Sequence, residues 1–535
     1  MRDRGTFRRL SEPMNSPTLT NRALRALTRH GLLAAAAVAV LLAGCSLQPV
    51  YQRPEAAIAA DFPTGPAYKQ ASATATPSAV DIGWRDFLTD PRLQRLVEIA
   101  LANNLDLRTA ALNIEQAQAQ YRIQRSAMFP QVGAGATETA QRTTSSSTGQ
   151  NVTYHDYSVG LTLSSWELDF FGRLQSLKDQ ALQQYFATAQ ARKATQILLV
   201  AQVADQYLAI LADDDLLAVT QHTLETAQAS YNITLQQFQA GIGTELTLRQ
   251  AQTVVEQAKA NYAAQVRARA QAENALVLLL GQPLPADLPP ATPLNSQSLV
   301  ADIPADVPSD LLTRRPDIMQ AEANLRAANA NIGAARAAFF PTISLTGSLG
   351  VESAALSALF GGASLAWSFI PSITMPIFDG GKRQANPDVS TIQKDVDVAQ
   401  YEKTIQIAFR EVADGLAARG TYDDQVASLQ RNVEASQRYL DLAQQRFQSG
   451  VDSYLNVLTA QTSLYTAQQM LVSARMSRLT TLVDLYRALG GGWIEHTGDA
   501  PPPAEDVGSV VPARPKWSPW DVFKIGQRES PAGTH

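Results

Sequence analysis

The chain has 535 residues and a formal net charge of −5, so its overall charge gives no attraction to nucleic acid. One Cys and five His residues argue against a disulfide framework and against a metal site built from several such ligands. We therefore expect no metal, no cofactor and no nucleic acid partner.

The first 44 residues have the pattern of a secretory signal. Several Arg residues precede a 13-residue apolar run, Gly31–Ala43, which is too short to span a bilayer. The run ends in the sequence LAGC at Leu42–Cys45, and Cys45 is the only Cys of the chain. LAGC is similar to the bacterial lipoprotein box, in which Cys becomes the lipidated first residue. We predict a signal peptide at 1–44 and a lipid on Cys45; the alternative is an ordinary signal peptide with an incidental Cys.

An arm and a helical region follow. Residues 45–90 form the predicted lipidated N-terminal arm, because Ser46–Val80 is rich in Pro, Ala and Thr and shows no periodicity. A helical pattern covers about Pro91–Met128, with a predicted break at Asn103-Asn104. Phe129-Pro130 ends this helical region.

Residues 131–165 have strand patterns. Apolar residues alternate with small or polar ones from Tyr157 to Ser164, and Thr143–Asn151 is a polar loop. These features predict a β-hairpin with strands Gln131–Ala140 and Thr153–Ser165.

The longest predicted element is Arg173–Ala240, which has 68 residues without Gly or Pro. At 1.5 Å per residue, such a helix is about 100 Å long. After a short turn, a return helix of 37 residues is predicted at Thr244–Leu280. Helices of this length need neighbours along their whole length, so we expect them to pack against one another.

A Pro-rich linker, residues 282–307, leads to a second unit that we place at residues 308–490. This unit has its own predicted hairpin at 342–376. Thr342–Gly350 and Ser364–Met375 alternate between apolar and small polar residues, as strands with two different faces do.

The second unit also contains two long helices. The first is expected from about Asn386 to Ser449, because Asn386-Pro387 has the pattern of an N-cap followed by Pro at the first helical position. A 37-residue return helix is predicted at Ser453–Leu489. The C-terminal tail, 491–535, is rich in Pro, and we expect it to be poorly ordered beyond Gly492.

The two units are copies of one pattern. GIGTELTLRQAQ at Gly241–Gln252 returns as GVDSYLNVLTAQ at Gly450–Gln461, an offset of 209 residues. We therefore predict an internal duplication, with repeats at 91–281 and 308–490, each containing a helix-turn-helix tip. Gly241 and Gly450 stand where a helix C-cap favours a left-handed residue, and Thr244 and Ser453 follow at N-cap positions.

The hairpins are the candidate membrane segments. No uninterrupted apolar run of 18 residues follows the signal, so we expect no transmembrane helix. One apolar and one small polar face fit membrane β-strands, although two hairpins of a soluble sandwich have the same pattern. Strands in lipid must close into a barrel, and four strands are too few for one chain. If the hairpins cross a membrane, several copies must share one barrel.

Several motifs of the chain resemble the TolC family of outer-membrane efflux channels, in the lipoprotein branch of OprM- and NodT-type proteins. The motifs are LAGC at Leu42–Cys45, WELDFFGRL at Trp166–Leu174, RRPDI at Arg314–Ile318, FFP at Phe339–Pro341, PIFDGGKR at Pro376–Arg383, EVADGLAARGTY at Glu411–Tyr422, GVDSYLNVLTAQTSLYTAQQ at Gly450–Gln469 and LYRALGGGW at Leu485–Trp493. They cover nearly the whole mature chain.

The resemblance implies an α+β membrane protein that forms a homotrimer. Its fold would be a 12-stranded β-barrel in the lipid bilayer, continuous with a 12-helix periplasmic α-barrel. The resemblance also implies lipid anchoring in the outer membrane of a Gram-negative bacterium. The expected partners are a periplasmic adaptor (membrane fusion protein) and an inner-membrane transporter of the RND type, as in multidrug resistance pumps.

By the same resemblance, the two tips form the periplasmic aperture and the adaptor contact. The residues assigned to them are Phe238, Gly241, Leu246, Arg446, Phe447, Gly450, Leu455, Asn456 and Thr459. Related channels have Asp at the position of Thr459, and TolC also has Asp at that of Asn456. We therefore expect a constriction that attracts cations less, closed mainly by apolar side chains, with Arg446 pairing with a neighbouring helix. The alternative is that Thr459 faces the helix packing.

Glu411, Asp414 and Arg419 form the one acidic and basic group that resembles a catalytic constellation. We interpret these residues as structural pairing or as lumen lining, and we predict no enzyme activity. The function predicted is a passive, gated exit duct for drugs or other small molecules. The alternatives are the outer-membrane channel of a type I protein secretion system and, less well matched, a coiled-coil adhesin, which would not need duplicated hairpins.

Overall fold

The computed structural model describes residues 46–55, 58–59, 61–68, 78–144, 149–300 and 308–503. The signal peptide and Cys45 lie outside these ranges. The chain divides into two compact units. Of the described residues, those in 46–51, 122–180 and 328–392 belong to the first unit, and those in 52–121, 181–327 and 393–503 belong to the second.

Helices make up most of the described chain. They are α1 (Trp84–Phe87), α2 (Pro91–Asn103), α3 (Leu105–Ser126), α4 (Arg173–Gln239), α5 (Glu245–Leu280), α6 (Pro308–Arg314), α7 (Pro316–Ala337), α8 (Lys382–Gln448) and α9 (Tyr454–Ala488). The strands are β1 (Val132–Thr144), β2 (Asn151–Glu167), β3 (Thr342–Ser353) and β4 (Leu365–Thr374). The predicted order of helices and hairpins in both repeats is confirmed.

The first unit contains one four-stranded antiparallel sheet in the order β1-β2-β3-β4. The two hairpins join through β2 and β3, with Leu161 opposite Leu349, and β1 and β4 are its edges. The strands extend further than predicted, because β1 and β2 remain paired to Thr144 and Asn151, at the ends of the expected loop.

The sheet has two chemically different faces. Leu161, Leu349 and Trp367 stand opposite one another in the register, and all three are exposed. On the other face, Ser348 and Ser368 hydrogen bond through their hydroxyls at 2.7 Å. The predicted alternation of apolar and small polar residues is therefore a true two-faced sheet.

The long helices agree with the sequence prediction except at one start. The prediction that Pro387 is the first helical residue is wrong, because α8 begins at Lys382 and contains Pro387. The carboxylate of Asp379 accepts hydrogen bonds from the backbone N–H groups of Gly381 and Arg383, both at 3.2 Å. This cap starts the helix more than one turn before the proline.

The tail after Gly492 is ordered further than expected. Trp493 and Ile494 are buried and pack with Ile197 in the second unit. The carbonyl of Ile494 accepts from Trp84 N at 3.0 Å, so the segment is also held by main-chain pairing. The expectation of disorder from Gly492 onward is wrong for this segment, because apolar burial outweighs its Pro-rich composition.

Part of the N-terminal arm also folds. α1 places Trp84 and Phe87 in the core, and Phe87 stacks on Tyr486 with ring centroids 4.0 Å apart. The predicted arm, residues 45–90, therefore contains a short buried helix near its end. The segment is too short to give a periodic signal in the sequence.

Among the described residues, α4 is the one helix whose length and composition would allow it to cross a membrane. The sequence criterion of an uninterrupted apolar run did not select it. Since 56% of its apolar window is buried inside the protein, the window has the burial of a core helix.

Candidate functional site

The two helix tips have the same backbone turn. Gly241 and Gly450 adopt φ values of 77° and 72°, as predicted for left-handed C-caps. Ile242 N donates to the Gln237 carbonyl and Val451 N to the Arg446 carbonyl, both at 3.0 Å. These bonds, with those of the two glycines to the carbonyls three residues before them, form a Schellman motif in each copy.

The starts of the return helices differ slightly. Thr244 caps α5, its Oγ1 accepting from Thr247 N at 3.2 Å. Ser453 is the N-cap residue of α9 but its side chain makes no capping hydrogen bond. The predicted positions are confirmed, and the second tip has the weaker cap.

Exposed apolar side chains surround each turn. Phe238 and Leu246 are exposed at the first tip and Leu455 at the second. Sequence reasoning missed Ile242 and Val451, which follow the two glycines and are 81% and 63% exposed. The signal was available, because both are apolar residues directly after a predicted C-cap glycine, a position where an apolar residue is common. The tips thus present duplicated apolar surfaces.

Phe447 has a different environment from Phe238. Its ring packs on Tyr454, with centroids 5.3 Å apart, and is half-buried. Tyr454 belongs to a buried cluster that includes Ala251 of α5 and Leu440 of α8. Phe447 therefore holds the second tip to the helix bundle.

Asn456 and Thr459 are both exposed on the first turns of α9. The Thr459 hydroxyl donates to the Leu455 carbonyl at 2.9 Å. Neither side chain carries a charge. These two positions therefore lack the carboxylates that the resemblance predicts for related channels.

Arg446 has its ion-pair partner in the same tip. Its Nε lies 2.5 Å from Oδ2 of Asp452, six residues further along the chain. Its hydrogen bond lowers the pKa of Asp452 below the ordinary value. Within the chain, Arg446 therefore pairs in its own tip, because the turn brings Asp452 back over the end of α8. Its pairing with a neighbouring helix in an assembly stays a prediction.

Glu411, Asp414 and Arg419 do not form one group. Glu411 accepts from Arg315 at 2.9 Å and lies 3.6 Å from Arg487. Asp414 is exposed and lies 3.9 Å from Arg410. Arg419 is half-buried further along α8. For Glu411 the interpretation as structural pairing is supported.

Arg315 is the centre of the Glu411 network. It is 5% exposed, donates to Asp317 and Glu411, and reaches the Ala488 carbonyl at 2.9 Å. A buried guanidinium of this kind is stable only when its donors are satisfied. The network therefore ties the start of α7 to α8 and to the end of α9.

Asp205 of α4 lies next to this network. Burial, together with the negative charge of Asp484, raises its pKa to about 7, and the positive charge of Arg487 opposes this shift. Since the folded protein binds this proton more tightly than the unfolded chain, its stability falls as the pH rises from about 4 to about 7.

We expect Asp205→Asn to stabilise the protein at pH 8 by roughly 3 kcal/mol and to leave it unchanged at pH 4. Thermal unfolding in detergent at pH 4 to 8 measures this difference. Asp395→Asn removes the same charge from an exposed position and should leave the pH profile of the wild type unchanged. Parallel profiles for the wild type and Asp205→Asn would contradict the prediction.

Within the described ranges, no group of three or more His, Cys, Asp or Glu side chains is arranged to hold a metal ion. The candidate site is therefore the pair of tips and the helix bundle behind them, where the chemistry is apolar contact, hydrogen bonding and one ion pair.

Comparison with known proteins gives consistent matches. Residues 96–282 and 307–491 match the outer membrane efflux protein family. The chain is 49% identical over 471 residues to TtgC of Pseudomonas putida, described as a probable efflux pump outer membrane protein, covering 88% of this chain and 97% of TtgC. It is 45% identical over 460 residues to outer membrane protein OprJ of Pseudomonas aeruginosa, covering 86% and 95%. The open state of the MtrE outer membrane channel of Neisseria gonorrhoeae is 40% identical with a TM-score of 0.75, covering 85% of this chain and 100% of MtrE.

Proposed function

The chain belongs to the outer membrane efflux protein family, and we propose that it is the gated exit duct of a tripartite efflux pump for drugs or other small molecules. Among the relatives, TtgC is named a probable efflux pump outer membrane protein and MtrE an outer membrane channel. The protein functions in the outer membrane of a Gram-negative bacterium. These names favour efflux over the alternative of type I protein secretion.

The open sheet is the observation that carries the proposal. Its apolar face is exposed along Leu161, Leu349 and Trp367, and each of β1 and β4 has a neighbour on one side within the described residues. Such a sheet is unstable in water and in lipid until its edges pair and its apolar face is covered. Joining β1 of one copy to β4 of the next closes the edges.

We propose that three copies close the barrel. Four strands from each copy give twelve, and a barrel with more than eight strands has room for a lumen. In the same assembly the long helices, two from each repeat, would form a periplasmic cylinder. Polar helix faces would line the passage for solutes.

The tips are proposed as the aperture and as the contact for a periplasmic adaptor. Ile242, Leu246, Val451 and Leu455 offer apolar surface that a protein partner can cover. The described residues hold no metal-binding group and we predict no enzyme activity, so in this proposal an inner-membrane transporter of the RND type supplies the energy for transport. Opening would follow from contacts that favour separated tips.

We expect native mass spectrometry in detergent to show three chains per particle. The physical reason is the number of strands needed to close the sheet around a lumen. Planar bilayer recording on the same sample should show conductance. A conducting monomer would overturn the proposed assembly.

Efflux itself is tested in the bacterium. Deleting the gene for this chain should raise sensitivity to small amphiphilic drugs, and the wild-type gene should restore resistance. An unchanged sensitivity together with the loss of a secreted protein would favour the secretion channel instead.

We also expect mature Cys45 to carry acyl chains. It is the only Cys and follows a short apolar run, and more than one acyl chain is needed for stable anchoring. Mass spectrometry of the mature N-terminus measures the modification. Cys45→Ser behind an ordinary signal peptide should still give trimers, because the barrel provides membrane insertion. A mature chain that begins elsewhere would contradict the prediction.

A further inference from the structure

One end of the sheet, where strands begin or end, carries all four connections between strands and helices. β1 begins and β2 ends there, with Val132 opposite Leu163, and β3 begins and β4 ends there, with Thr342 opposite Thr374. The other ends of the strands are hairpin connections. We call this the helical end of the sheet. The apolar face of the sheet ends there.

Each of the four connections exposes a phenylalanine. Phe129, Phe170, Phe340 and Phe378 are all exposed, Phe378 to 90%. The connections before β1 and β3 also share a turn, since Met128 N donates to the Arg125 carbonyl and Phe339 N to the Arg336 carbonyl, at 3.2 and 3.1 Å. Both sequence repeats thus place an aromatic ring at the end of the sheet by the same local structure.

Cations accompany these rings and fall into two classes. Arg173 and Arg383 pair with the carboxylates of Glu167 and Asp379. Arg125, Arg336 and Lys382 are exposed, and within the described residues their side chains make no hydrogen bond or ion pair. We call these three residues the basic edge.

Local helix electrostatics explain only part of the basic edge. Arg125 and Arg336 lie in the last turns of α3 and α7, where the helix dipole favours a cation. Lys382 lies at the first residue of α8, where the dipole disfavours one. An anion from outside the protein could pair with all three positive charges.

We propose that the basic edge binds the phosphate groups of anionic phospholipids in the periplasmic leaflet of the outer membrane. The inference rests on the proposed insertion of the sheet in that membrane. Insertion places the helical end of the sheet at the boundary between hydrocarbon and water. Exposed aromatic rings favour this boundary, and Lys and Arg side chains there reach the lipid headgroups. The charge of the three side chains is complementary to the phosphates.

The test uses the full-length protein in detergent micelles that contain equal amounts of phosphatidylglycerol and phosphatidylcholine. Native mass spectrometry measures the ratio of the two lipids retained. We expect the wild type to retain more phosphatidylglycerol, and each cation removed to lower the ratio by roughly fivefold at most. The test variant is Arg125→Gln/Arg336→Gln/Lys382→Gln.

A matched control removes two Arg and one Lys from the second unit, as Arg267→Gln/Lys403→Gln/Arg438→Gln. These side chains are also exposed. The control should retain lipid as the wild type does. Lys382→Gln alone removes a cation that the helix dipole disfavours, so it should fold and still show a lower ratio.

Conductance of the same samples separates this inference from the proposed function. A wild type that conducts but shows no preference for phosphatidylglycerol would overturn the lipid site and leave the channel intact. Equal loss in test and control variants would also overturn it, since the preference would then follow total charge. Displacement of the lipid by millimolar inorganic phosphate would show that a free anion suffices, against the assignment to lipid.

Discussion

Replacing Arg315 by Met is expected to lower the free energy of unfolding by about 3 kcal/mol or more, the cost of removing one partner from a buried ion pair. Arg315 is almost fully buried and donates to Asp317, to Glu411 and to the Ala488 carbonyl. Met fills much of the volume but donates nothing, so the carboxylates of Asp317 and Glu411 and the buried carbonyl of Ala488 lose their donor.

Arg314 provides a matched control in the adjacent position. Its guanidinium lies 3.6 Å from Asp81 and its side chain is 38% exposed. Arg314→Met should cost less than about 1 kcal/mol, because an exposed ion pair contributes little. Thermal and denaturant unfolding of the two variants in detergent gives the comparison.

Glu411→Gln separates charge from shape in this network. Arg487 also lies beside Glu411, at 3.6 Å, so the variant removes the carboxylate charge that Arg315 and Arg487 share. The double variant Arg315→Met/Glu411→Gln should therefore lose less stability than the sum of the single variants. Equal losses for Arg315→Met and Arg314→Met would show that the buried network does not stabilise the fold.

Local patterns predicted most of the architecture. Long stretches without Gly or Pro marked the helices, and the two tip glycines marked turns that require positive φ. The strand alternation correctly assigned the two faces of the sheet. Each of these signals depends on a residue and its near neighbours in the chain.

The errors concern contacts between distant segments and one missed cap. Glu411 and Arg315 are 96 residues apart, and no periodicity relates them. Trp493 looks like part of a Pro-rich tail until the core that receives it is known. The start of α8 depends on Asp379, whose side chain caps the first turn of the helix. The sequence prediction placed the start later, at the Asn386-Pro387 pair.

At the two tips, too, local features could be predicted and contacts between segments could not. The exposed positions of Asn456 and Thr459 follow from helical spacing within one tip. The partner of Arg446 depends on how the turn folds, and no local pattern favours Asp452 over a residue on another helix. The exposure of Ile242 and Val451 depends on what packs against the turn, which the positions of the two glycines alone do not determine.

We expect Thr459→Asp to make the channel more selective for cations, by roughly threefold to tenfold in the ratio of cation to anion permeability. In the proposed trimer the change adds three carboxylates near one another. Closely spaced carboxylates attract cations, and their mutual repulsion raises their pKa values, so the gain should shrink as the pH falls. Single-channel recordings in asymmetric salt measure the change, and a trivalent cation added on the periplasmic side should block the variant.

Thr253→Asp is the matched control for the aperture. Thr253 is an exposed threonine of α5 whose hydroxyl donates to the Arg249 carbonyl at 3.0 Å, as that of Thr459 does to Leu455 at 2.9 Å. Both substitutions remove the same local bond and add the same charge, but Thr253 is not assigned to the constriction. Block and selectivity that change equally in both variants would show a general surface charge effect. No change in Thr459→Asp would show that Thr459 faces away from the passage.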